Sequence, residues 1–479
     1  MIVLEDVSFS HRETRTRFPF RYGIASMTEL PHVFVRVRLR VGEESGEGLA
    51  SEGLAPKWFT KNPATTFAED LPDLVRVLRA AADHGLAIAP RADLFTWWRE
   101  LYDVQTAWAR AESLPLLLAH LGTSLIERAA LDAFCRIRGM SFAEALRRDV
   151  LGFRVSAIHP EVADSAADEF LGRGPTPQLM VRHTVGLGDP LTAADLEKEE
   201  PLDDGLPLAL EEVIPRYGLT RFKIKLSGKL DQDLERLGVL ARILPRLAPD
   251  YRATLDGNEQ FGDVASFRAS WEALRAEPGL RELLGPDRLV LVEQPLHRDR
   301  AMSDDVGGAL RDWPERPPLI IDESDSEVGT VSRALKLGYA GSSHKNCKGV
   351  FKGLANALLL HQRRAEGAVA VQTGEDLANI GPLALLQDCA VMAVLRVADV
   401  ERNGHHYFKG LSPFPRELGE AVLAACPDLY ERLPDGTATL RIRSSRLDLG
   451  SVLRAPFGQP LAPRELLSLA GVTDGLPAV

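Results

Sequence analysis

The chain has 479 residues, 45% of them hydrophobic and 26% charged, with a formal net charge of -11. That length exceeds one small domain and suits an α/β barrel of ~250 residues with a companion domain. The acidic balance argues against a nucleic-acid-binding face, and no run of ~18 apolar residues offers a membrane span.

The start, Met1-Ile2-Val3-Leu4-Glu5-Asp6, lacks a basic segment leading into an apolar stretch, so no secretory signal is expected. Cys135, Cys347, Cys389 and Cys426 are scattered without a C-x-x-C pair, which fits reduced thiols in a cytoplasmic protein.

The first ~60 residues read as strands. Val33, Val35, Val37 and Leu39 alternate with Phe34, Arg36, Arg38 and Arg40, the period of a half-buried antiparallel strand. Gly46, Gly48 and Gly53 then suit a turn and a short returning strand. From ~66 to ~150 the period becomes helical. Leu125, Ala129 and Ala133 share one helix face, Thr123 or Ser124 is the expected cap, and Gly139 the expected end. Residues 1–150 are therefore an expected α+β domain.

From ~175 onward strands and helices alternate. The expected strands are Gln178–His183, Arg221–Leu226, Arg252–Asp256, Leu289–Glu293, Leu319–Asp322, Gly341–Lys345, Ala368–Gln372 and Val394–Val400. Helical stretches such as Asp231–Leu247 and Val350–Arg364 lie between them, and Thr192–Leu206 reads as an acidic surface excursion. Eight short strands in this order favour a (β/α) barrel over residues 151–400, with an open doubly wound sheet as the alternative. Residues 401–479 are left as a C-terminal segment.

Polar residues end these strands. Lys223 and Lys225 end the second, Asp256 the third, Glu293 the fourth, Asp322 the fifth and Lys345 the sixth. A barrel would bring them to one C-terminal rim. Carboxylates converging there repel one another unless a cation joins them. Oxygen ligands from Asp256, Glu293 and Asp322, with no His or Cys beside them, suit one Mg²⁺, and Mn²⁺ meets the same requirement. A lysine beside a cation is disfavoured in its charged form and can serve as a base.

The ordered series K-x-K, D-x-N, E-Q-P, D-E-S and a sixth-strand lysine resembles the muconate-lactonizing branch of the enolase superfamily. The resemblance covers nearly the whole chain, and the run Ser124–Ala133 is similar to the helix that closes the cap in those proteins. It implies a modified TIM-type barrel under an α+β cap, with the C-terminal segment completing the barrel and returning to the cap. It also implies removal of a proton next to a small-molecule carboxylate through an enediolate. Asp256, Glu293 and Asp322 would be metal ligands, Lys225 and Lys345 the acid and base on two substrate faces, and Lys223 a supporting charge. Two lysines favour a racemase or epimerase; a dehydratase or cycloisomerase is the alternative, and a silent binding protein a remote one. Homo-oligomers are common among such enzymes.

Departures from the pattern are also visible. No H-x-D pair of the mandelate-racemase branch occurs, and Gly349-Val350 stands where Gly-Gly is usual, with Lys348 as a second lysine nearby. Asp399-Val400-Glu401 is similar to the D-x-D of dipeptide epimerases, but continues into His405 and His406, which read as surface or packing residues. Arg21, Tyr22, Lys57 and Trp58 lie where the family places specificity loops, and Asn258 and Glu375 follow strand ends. All are candidate substrate contacts, as are Asp399 and Glu401.

Overall fold

The computed structural model describes residues 1–197 and 202–478. Of the expected excursion Thr192–Leu206, positions 198–201 lie outside the described residues.

The first three strands are β1 (Ile2–Tyr22), β2 (Ala25–Val41) and β3 (Glu44–Gly53), an antiparallel sheet in the order β1-β2-β3. Alternation along β2 buries Val33, Val35, Val37 and Leu39. The C-terminal pair Thr473–Asp474 adds to the free edge of β1. Helices Phe67–Ala87, Leu94–Ala111 and Leu116–Arg138 cover one face of this sheet. Thr66 and Glu69 form a reciprocal capping box at the start of the first, and Asp93 caps the second.

The third helix starts earlier than expected. It begins after Pro115, so Thr123 and Ser124 are interior, and the Ser124 hydroxyl donates back to the Leu121 carbonyl at 2.9 Å. The helix is buried nearly all round from Leu117 to Cys135, which hides its start from any one-sided periodicity. Gly139 ends it in the left-handed conformation, as expected.

Eight parallel strands follow: β4 (Gln178–Val185), β5 (Arg221–Lys225), β6 (Arg252–Asp256), β7 (Leu289–Glu293), β8 (Leu319–Ile321), β9 (Gly341–Lys345), β10 (Val371–Glu375) and β11 (Val400–Arg402). They pair in sequence order, and Val400 of β11 pairs with Val181 of β4 to close the barrel. The sheet therefore has the closed form and not the open alternative. Two strands lie later than their expected positions. Ala368–Ala370 precede β10, and Val394 and Leu395 belong to the helix Ala384–Leu395. Short apolar runs do not distinguish a strand from a buried helix. No helix among the described residues is long and apolar enough to cross a membrane.

Candidate active site

Parallel pairing fixes which strand ends are neighbours. Lys225 is opposite Asp256, Asp256 opposite Glu293, and Lys345 opposite Glu375. Lys223 and Lys225, two residues apart, share a strand face. All six side chains, with Asp322 just beyond β8, are buried at the C-terminal rim.

Lys223 Nζ sits at the centre of the carboxylates. It lies 3.0 Å from Asp256 Oδ2, 2.9 Å from Glu293 Oε1, 2.8 Å from Glu375 Oε2 and 3.0 Å from Glu401 Oε2. Lys225 Nζ donates to Asp256 Oδ2 at 2.6 Å. Across the rim, Lys345 Nζ donates to Asp322 Oδ2 and Glu375 Oε2, both at 2.7 Å. Lys348 also reaches Asp322, through Oδ1 at 2.7 Å. Arg182 of β4 joins Glu375 Oε1 at 2.8 Å to Asp399 at 2.6 Å.

The carboxylates respond unequally. Burial pushes Glu293 well above the usual carboxylate range, and the neighbouring charges of Glu375, Asp256 and Asp322 push it further, against Lys223. Burial also disfavours the charge on Glu375, but Lys223, Lys345 and Arg182 hold that group well below its ordinary value. Asp256 and Asp322 are likewise held low against burial, by Lys223 with Lys225 and by Lys345 with Lys348 respectively.

These residues fit a hard divalent cation. Glu293 Oε2 is buried with no hydrogen-bond partner, and the donors around it are all oxygen. The carboxylates with ligand atoms within 4.8 Å of one another are Glu293, Asp322 and Glu375. Asp256, expected in that trio, instead accepts from Lys225 through Oδ2 and is ion-paired there with Lys223.

Above the cluster is a small cavity. Phe20, Tyr22, Met27, Ala55 and Trp58 roof it, while Lys225, Lys345, Asp322, Asn258 and Glu401 are among its floor residues. Lys345 Nζ lies 5.1 Å from the Trp58 ring centre.

Other expected contacts stand apart from this cavity. Arg21 is exposed and lies against Gly188, where an added Cβ would come within 2.5 Å of its guanidinium. Lys57 Nζ is 2.6 Å from Asp70 and donates to Asn62 and Thr65, so its charge is committed within the cap. Asp399 precedes β11 and so lies at the lower end of that strand, tied to Arg182; only Glu401 of the Asp399-Val400-Glu401 run reaches the cavity. His405 and His406 are buried packing residues beside His183, not surface ones.

Met27, Asp376 and Asn403 also line the cavity. Their sequence signal is only their nearness to strand ends or to the hairpin tip. Glu323, next to Asp322 in the D-E-S run, is buried with Oε2 unpartnered.

Solved structures share this architecture over nearly their whole length. The muconate lactonizing enzyme of Pseudomonas fluorescens, complexed with muconolactone, has a TM-score of 0.61 at 17% identity, covering 98% of this chain and 99% of that one. The N-succinyl Arg/Lys racemase of Bacillus cereus gives 0.59 at 14%, covering 98% of each chain. The dipeptide epimerase of Enterococcus faecalis, complexed with Mg and a dipeptide, gives 0.59 at 13%, with 95% and 99% covered. This is the enolase-superfamily fold. No protein-family model and no curated protein sequence matches the chain.

Proposed function

We propose that this protein is a divalent-cation-dependent enzyme that removes the α-proton of a carboxylate and returns a proton to the opposite face, a racemase or epimerase. The observation that carries the proposal is the placing of two lysines. Lys225 ends β5 and Lys345 ends β9, the second and sixth of eight strands, so they enter one cavity from opposite sides of the barrel.

A neutral lysine on one side accepts the proton from the α-carbon, and the electron pair left behind moves into the substrate carboxyl group. The ammonium on the other side delivers its proton to the opposite face, inverting the centre. Lys223, buried and fixed by four carboxylates, supplies positive charge without changing position. The aromatic roof of Phe20, Tyr22 and Trp58 limits water at the reacting carbon. Asp256, Glu293 and Asp322 are the residues we assign to the cation, with Glu375 beside them. When bound, Mg²⁺ would supply Lewis acidity toward the substrate carboxylate.

The test is α-proton exchange in D₂O with Mg²⁺, over a pool of hydroxy acids, arylacetates, acylated amino acids and dipeptides, read by mass spectrometry. The expected result is exchange reduced by ~10³-fold or more for one enantiomer in Lys225→Ala and for the opposite enantiomer in Lys345→Ala. Each variant should leave one substrate enantiomer unable to exchange. Loss in one variant only, with an alkene product, would move the reaction to a lyase. No exchange over the pool would overturn the enzyme reading.

A further inference from the structure

Beside the main cavity lies a smaller cleft, between the tip of the β1–β2 hairpin and the ends of β6 and β8. Tyr22, Trp58 and Asn258 line both spaces, so they adjoin. Glu323 lines the smaller one.

Two of its lining residues carry a buried acceptor without a partner, Glu323 Oε2 and Asn258 Oδ1. Their residues are 3% exposed, and the hydrogen bond between them, Asn258 Nδ2 to Glu323 Oε1, is long at 3.5 Å. A buried acceptor left unmatched is costly, so the arrangement invites a donor from outside the chain.

The cations of the cleft do not answer this demand. Lys57 is committed to Asp70, as above. Lys61 donates to the Asn258 carbonyl and pairs with Glu259 at 3.1 Å. Behind Lys61, outside the cleft lining, Arg298 holds both oxygens of Glu259, at 2.7 and 2.8 Å. A second carboxylate entering the cleft would meet Glu323 with the lining lysines, Lys57 and Lys61, already engaged.

We infer that the cleft receives the far end of the substrate, and that this end carries a hydroxyl or amino donor accepted by Glu323 and Asn258. The body joining it to the reacting carboxylate is apolar or aromatic, since it passes between Tyr22 and Trp58. The inference rests on the proposed reaction only in placing the reacting carboxylate at the lysine end. A site built to accept a donor rejects the analogue lacking it far more strongly than a greasy pocket rejects one methylene.

The experiment is calorimetric binding of para-hydroxyphenylacetate, para-methylphenylacetate and para-carboxyphenylacetate to the Mg²⁺-saturated full chain, with α-deuterium exchange followed on each. The hydroxy acid should bind ~10-fold or more tightly than the methyl acid, and the dicarboxylate weakest. Glu323→Met should bring the hydroxy-to-methyl ratio near one, and Glu323→Gln, which keeps one acceptor oxygen, should retain part of it. If Glu323→Met fails to fold, a reduced ratio in Glu323→Gln carries the inference and an unchanged one overturns it. Equal binding of the hydroxy and methyl acids, no binding of either, or loss of Mg²⁺ affinity in Glu323→Met would also overturn it. Binding preference without exchange would sink the proposed reaction and keep the donor site. Exchange without preference would do the reverse.

Discussion

Glu375 and Asp256 both touch Lys223, yet their other partners differ in kind. Glu375 is fixed from behind by Arg182, whose guanidinium stays charged at any working pH. Asp256 is held by Lys223 and by Lys225, which must give up its hold on the carboxylate to act as a base. In the proposed reaction Asp256 would therefore be free to turn an oxygen to the cation, whereas Glu375 is retained by a permanent charge. The compact trio of Glu293, Asp322 and Glu375 then describes the site with its lysines closed onto the carboxylates. In Mn²⁺ titrations followed by electron paramagnetic resonance, Asp256→Asn and Glu293→Gln should each weaken binding by ~10-fold or more. Glu375→Gln should leave cation affinity within about threefold while lowering turnover, because Lys345 loses a partner. Weakened cation binding in Glu375→Gln with none in Asp256→Asn would reverse the assignment.

At the scale of elements, helix and strand contacts impose demands that side-chain patterns show only in part. Gly48 of β3 faces the helix Leu116–Arg138 so closely that an added Cβ would lie 2.2 Å from Ala133 N and 2.3 Å from Ala129 O. Both neighbours are backbone and cannot turn aside. Gly48→Ala should cost ~1–3 kcal/mol in denaturant melts, whereas Gly172→Ala, with nothing near its added Cβ, should fall within ~0.5 kcal/mol of the parent. Equal effects would show that the strand yields without strain. In the sequence, Gly48 reads only as turn punctuation, because closeness to a distant helix leaves no local mark. Strand ends are easier to read: Lys225, Asp256, Glu293 and Lys345 each close a short strand-like run and are the last residues of β5, β6, β7 and β9. The seventh and eighth strands escape because Ala368–Ala370 and Val394–Leu395 are apolar runs too short to show a period. That displacement also explains Asp399, which a strand ending at Val400 would place on the rim. Glu323 is hidden because it adjoins Asp322, whose position accounts for the pair, and Lys57 was visible where its neighbour Lys61 lies nearer the barrel rim.

Over the whole molecule, the cap and its junction with the barrel bury ionisable groups whose titrations pull stability in opposite directions. Glu127, on the cap helix, accepts the Val350 and Phe351 amides at 3.0 and 2.8 Å, capping the barrel helix Val350–Ala365. Burial pushes its carboxyl up to about 7, despite those amides and Arg128. His32 of β2 is buried, and burial pushes it down to about 4 against the Leu30 backbone. As pH falls from 7 toward the ordinary carboxylate value near 4.5, the folded chain takes up a proton at Glu127 before the unfolded chain does, so this group adds stability. From pH 6.5 downward the unfolded chain protonates His32 first, so that group's contribution is present above 6.5 and is lost as pH approaches 4. Either shift amounts to ~3 kcal/mol at full extent. Relative to the parent, Glu127→Gln should therefore lose stability between pH 7 and 5, while His32→Leu should gain it, each by ~2 kcal/mol in urea melts. The constant cost of each substitution drops out, since only the change of the difference with pH is read. Parallel slopes for the two variants would mean that neither group carries its burial-driven shift, and that both sites admit enough water to solvate them.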